Sequence, residues 1–111
     1  MNWHQLTDIA QLESIKEESF TQPVLLFKHS TRCSISSTAL NRLERNWNQE
    51  AVGTLKPYYL DLIQFRPISS AIESEFKVEH QSPQVLVIKD GECIYNESHM
   101  GISFNELTET V

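Results

Sequence analysis

Two apolar runs without alternation, VLLF at 24–27 and VLVI at 85–88, constrain what this 111-residue chain can fold into more than any other feature. A strand with one wet face alternates apolar and polar side chains, whereas an uninterrupted apolar strand is buried on both faces. A sheet buried on both faces needs helices above and below it. The rest of the sequence supplies them.

Thr7 or Asp8 caps a helix whose inward face is Ile9, Leu12 and Ile15, with Gln11 completing a capping box. After the first strand, Pro23 to Lys28, the residues Ile35, Ala39, Leu40, Leu43 and Trp47 recur at spacings of three and four. Arg42, Glu44, Arg45 and Asn46 fall elsewhere on the wheel, which predicts a long amphipathic helix from Cys33 to an exit at Gly53. Leu55 to Ile63 reads as the next strand, and Pro57, lacking an amide donor, makes it an edge candidate. Pro67 suits the first turn of a helix carrying Ile68, Ala71, Ile72 and Phe76. Val85 to Ile88, Asp90-Gly91 and Cys93 to Tyr95 form a hairpin signal. Ser103 with Glu106 predicts a capping box for a last short helix through Leu107 to Val111, and Asn2 to Leu6 leaves room for one more short strand.

The order is therefore helix, strand, helix, strand, helix, strand, strand, helix. Right-handed crossovers place the first apolar strand centrally, and the hairpin adds antiparallel strands on its other side. This is an α/β, thioredoxin-like fold, a central mixed sheet of about four strands flanked by helices, with no repeat or linker to divide residues 1–111 into more than one domain.

Fifteen acidic against nine basic side chains give a net charge of -6, with no Lys/Arg-rich stretch to track nucleic acid. The start of the chain lacks a basic segment followed by an apolar one, and nothing approaches the roughly 20 apolar residues of a membrane span, so a cytoplasmic protein is expected. Two Cys make no disulfide scaffold; in a reducing compartment a Cys is more often core, metal ligand or catalyst.

Cys33 sits in HSTRCSIS, where the first apolar strand gives way to a helix. Unpaired amides and the positive end of the helix dipole favour a thiolate there, and Arg32 adds a full charge. Polar neighbours Ser30, Thr31, Arg32, Ser34 and Ser36 argue against a buried thiol. Where a dithiol oxidoreductase carries its resolving Cys, this chain has Ser36. A mixed disulfide at Cys33 then needs an external thiol for release. Ser36 reads first as a helix residue without chemistry of its own, though its hydroxyl is placed to donate a hydrogen bond to the thiolate. Cys93 lies past the hairpin turn, roughly 20 Å from the start of its partner strand, so pairing with Cys33 is not expected. Pro83 precedes the second apolar strand; a cis bond from Ser82 leaves that backbone free to pair with a disulfide-bearing chain. His99 returns to the same end of the sheet, either lining the groove or standing on the surface. His29 precedes Cys33 by four residues, but no CxxC or HxxxH cluster exists, and no metal is expected.

KHSTRCSIS, HQSPQVLVIKDGE and NESHMGIS together resemble the YtxJ-type monothiol bacilliredoxins of the bacillithiol system, over nearly the whole chain. The resemblance implies a thiol-disulfide oxidoreductase that removes bacillithiol from S-bacillithiolated cytosolic proteins, with Cys33 as nucleophile and Pro83 as cis-proline. It implies no bound cofactor, bacillithiol as co-substrate, and free bacillithiol or a reductase as regenerating partner. Members of the family commonly show Thr-Cys-Pro-Ile-Ser; Arg32 and Ser34 depart from that pattern here, releasing a fixed φ and adding a charge beside sulfur. A dithiol thioredoxin fits poorly, since Ser36 and Phe27 replace its second Cys and its buried Asp. A glutathione-type glutaredoxin fits poorly too, with Asp90-Gly91-Glu92 where a Gly-Gly-Asp segment belongs. The residues still admit a monothiol protein using glutathione or coenzyme A, a non-catalytic redox sensor or adaptor, and an iron–sulfur carrier, the last weakened by CSIS in place of CGFS.

Overall fold

The computed structural model describes residues 2–111. In chain order the elements are β1 (His4–Gln5), α1 (Gln11–Glu18), β2 (Val24–His29), α2 (Ser34–Asn46), α3 (Gln49–Val52), β3 (Lys56–Asp61), α4 (Arg66–Phe76), β4 (Gln84–Lys89), β5 (Glu92–Ser98), a single 3₁₀ turn (His99–Gly101) and α5 (Phe104–Thr110). The strands form one mixed sheet in the order β1-β3-β2-β4-β5. β2 runs parallel to β3 and antiparallel to β4, so it lies at the centre.

The unbroken apolar character of β2 follows from its two covered faces. Val24 and Leu26 pack with Leu12 and Ile15 of α1 and Ile68, Ile72 and Phe76 of α4. Leu25 and Phe27 point the other way, onto Ala39 and Leu43 of α2, Val52 and Leu107. At roughly 1.5–3 kcal/mol for each fully buried apolar side chain, these two clusters hold the sheet between its helices. The same alternation sends Lys28 to the α4 side and His29 to the α2 side, and both are buried.

Several expectations change. The sheet has five strands because residues near Asn2 to Leu6 do pair, through His4 and Gln5 beside Tyr58 and Tyr59. β3 is therefore not an edge. Its even residues bond to β2, with Lys56 donating to Pro23 O and Leu62 to His29 O, so Pro57 faces the side where β1 stops short and needs no donor. The first helix starts at Gln11 rather than beside Asp8, and Ile9 is exposed. The capping side chains are nonetheless used: Gln11 Oε1 accepts the amides of Thr7 and Asp8 at 2.8 and 2.9 Å, and Asp8 Oδ1 accepts that of Ala10.

Ile35 also stays exposed, because it lies on the outer side of the first turn of α2, and the long helix breaks at Trp47. Asn48 then caps the separate α3 by accepting the Glu50 amide. Ser103 makes no side-chain cap, so the last capping box does not form; Glu106 is instead drawn to Tyr95, whose hydroxyl donates to its carboxylate. The hairpin turn follows the sequence reading, with Asp90 and Gly91 both at positive φ.

Candidate active site

Cys33 caps α2. Its backbone is extended, with φ -113° and ψ 120°, and its carbonyl accepts the Ser37 amide at 3.1 Å. The amides of the first turn are therefore left without intrahelical partners around it. Its own amide donates to Ser30 O at 3.2 Å, which ties the connecting loop into a turn. The thiol is partly exposed and makes no cap hydrogen bond. Among the described residues no group hydrogen-bonds to its sulfur, which leaves it open to an approaching disulfide. Arg32 and Ser34 flank it, both exposed.

β4 begins beside the same loop. Lys28 pairs with Gln84 at the last step of the β2–β4 ladder, so Ser82 and Pro83 lead into β4 at the end of the sheet where β2 gives way to the Cys33 loop. The Ser82-Pro83 bond is cis. Pro83 O accepts the amide of His99 at 3.0 Å, and His99 itself is exposed at the end of β5. Cys33, Ser82, Pro83 and His99 thus share one end of the sheet. The Ser82 hydroxyl is buried without a hydrogen-bond partner among the described residues.

Ser36 is placed differently from the expectation that it serves the thiolate. Its side chain is fully buried, its Oγ accepts the Ser30 amide at 3.0 Å, and the same oxygen lies 2.8 Å from His29 Nδ1. Ser36 shares one face of α2 with Ala39 and Leu43, three and seven residues on, and that face meets the sheet. His29 is held between aromatic rings, 5.5 Å from Tyr59 and 6.0 Å from Phe27. Burial pushes its pKa below the usual 6.5, against the opposing pull of Asp61. His29 drew notice in the sequence only as a metal candidate, because its contact with Ser36 spans a strand end, a loop and a helix turn and has no periodic signature.

Cys93 lies at the other end of β5. It pairs with Ile88, five residues along β4 from Pro83, or roughly 16 Å. Its thiol donates to Tyr95 O at 3.2 Å, and burial pushes its pKa up. Both cysteines are free. Among the described residues no group of three His, Cys, Asp or Glu side chains converges, and no helix is long and apolar enough to cross a membrane.

The family model described as monothiol bacilliredoxin BrxC matches residues 4–107. Among solved structures, a protein assigned as an oxidoreductase with a thioredoxin fold is 30% identical, with a TM-score of 0.81 over 96% of this chain and 90% of that one. Thioredoxin from Malassezia sympodialis superposes with a TM-score of 0.76 at 15% identity, over 98% of this chain and 90% of its own. Thioredoxin from Fasciola hepatica gives 0.73 at 18% identity, over 96% and 94%. The last two carry the fold alone.

Proposed function

The chain belongs to the monothiol bacilliredoxin BrxC family, and from that premise we propose that it removes bacillithiol from S-bacillithiolated cytosolic proteins through a mixed disulfide at Cys33. The supporting observation is the unequal setting of positions 33 and 36. Cys33 is accessible at the first turn of α2, while position 36 holds a buried hydroxyl where an internal resolving thiol would stand.

The Cys33 thiolate attacks the bacillithiol sulfur of the protein mixed disulfide. One S–S bond forms as another breaks, and the client leaves as a thiolate that takes a proton from water. Attack by the thiolate of a second bacillithiol on the Cys33 mixed disulfide then yields bacillithiol disulfide and restores Cys33, so the electron count closes without a bound cofactor. Arg32 and the amides of the first turn of α2, including that of Ser34, stabilise the thiolate. The backbone at Ser82 and Pro83 pairs with the client chain beside the scissile bond, and His99 borders that groove.

Turnover of a bacillithiolated client protein by wild type and by Cys33→Ala tests the reading. Release of bacillithiol by wild type alone supports it, and equal rates would end it. Supplying glutathione or coenzyme A adducts in the same assay separates a bacillithiol enzyme from a protein that uses another thiol. A stable adduct without turnover would indicate a sensor.

A further inference from the structure

We propose that His29 is a positioning residue for Cys33, holding the hydroxyl of Ser36 and thereby latching the loop that presents the sulfur to the N-terminus of α2. The inference rests on the reading of Cys33 as the nucleophile. Ser36 is fully buried, and its oxygen has two polar neighbours, the Ser30 amide and His29 Nδ1. The amide can only donate. If Nδ1 also donated, the hydroxyl proton would be left as a buried orphan, which costs about 1–3 kcal/mol. The satisfied arrangement has Ser36 O–H donating to an unprotonated Nδ1, an assignment made from the network.

Three bonds then enclose Cys33. Ser30 donates its amide to Ser36 and accepts the Cys33 amide on its carbonyl, while Ser36 donates to His29. His29 itself cannot drift, since it ends the central strand, is 4% exposed, and packs against Phe27 and Tyr59. The loop is therefore tied to the central strand of the sheet. The hydroxyl of Ser36 is spent on this latch, which leaves the backbone amides of the first turn and the flanking Arg32 as the groups available to the sulfur. Two charged groups bear on the ring, Asp61 of β3 and Glu44 of α2, and both favour its charged form against the larger effect of burial.

The test is the pH profile of Cys33 alkylation by iodoacetamide, followed by mass spectrometry in a Cys93→Ser background from about pH 5 to about pH 9. His29→Phe and Ser36→Ala should each move the profile to higher pH, slowing alkylation at neutral pH by about tenfold, the equivalent of one pH unit. The double variant should be no slower than either single one, and His29→Asn, whose amide oxygen can accept the Ser36 hydroxyl, should recover most of the rate. A wild-type profile in Ser36→Ala, additive losses in the double variant, or His29→Asn as slow as His29→Phe would each overturn the proposal. Ser36→Ala removes one buried atom, so it keeps the test open if His29→Phe does not fold. Alkylation needs no bacillithiol, so its outcome is separate from that of the client assay.

Discussion

Lys28 Nζ lies 3.3 Å from His80 Nδ1, and this is the hydrogen bond of an ammonium group carried by a fully buried side chain in the central strand. His80 also meets Ser69 Oγ at 3.3 Å, and its amide donates to Glu73. Burial depresses the Lys28 pKa from 10.5 to about 8, with Glu73 opposing. His80 is likewise depressed, by desolvation first and by Lys28 second.

Lys28→Met should therefore stabilise the protein. Between about pH 8 and 10.5 the unfolded chain holds a proton that the folded chain releases, so wild-type stability rises with pH across that window. Below it the folded state carries the whole cost of the buried charge, on the order of 3 kcal/mol. Thermal melts should show Lys28→Met above wild type at pH 7, with the gap closing as pH approaches 10.5; a constant gap would contradict this account.

Ser36→Cys should turn the site into a dithiol. Cys33 is the N-cap of α2 and position 36 lies three residues on, the spacing of a Cys-X-X-Cys motif at a helix N-terminus. Oxidised Ser36→Cys should appear in intact mass spectra as an internal disulfide, and after exposure to a small-thiol disulfide it should carry less mixed disulfide than wild type treated in the same way.

Cys93 should be dispensable for turnover. It sits at the far end of β5, partly buried, with its thiol pKa raised by that burial. Cys93→Ser should retain client turnover within about twofold of wild type, and limited alkylation at neutral pH should label Cys33 before Cys93. Labelling in the reverse order would count against the assignment of the nucleophile.

Gly91→Ala should destabilise the hairpin by about 1–3 kcal/mol. Gly91 has φ +79°, and an added Cβ would lie 3.1 Å from the Phe20 ring. Its amide also donates to Ser19 Oγ at 2.8 Å, linking the turn to the end of α1. A lower urea midpoint with unchanged slope would report this, while Cys33 alkylation, at the other end of the sheet, should not change.

The sequence by itself determined the doubly covered sheet, the central place of β2, the Asp90-Gly91 hairpin and Cys33 at the head of a helix. Each is a local pattern, in which burial on both faces, positive φ or a strand-to-helix transition fixes the residue types within a few positions. It determined equally that no thiol stands at position 36. What only the tertiary structure decided is where individual side chains turn. Ser36 faces inward to His29, Lys28 crosses to the α4 face, Ile35 stays outside, and Glu106 leaves its expected cap for Tyr95. Polar groups follow whichever partners packing brings within hydrogen-bonding distance, and those partners come from other elements. Periodicity along one segment carries no record of them, so the place of Cys33 at the head of a helix was legible in the sequence and the contacts that hold its loop were not.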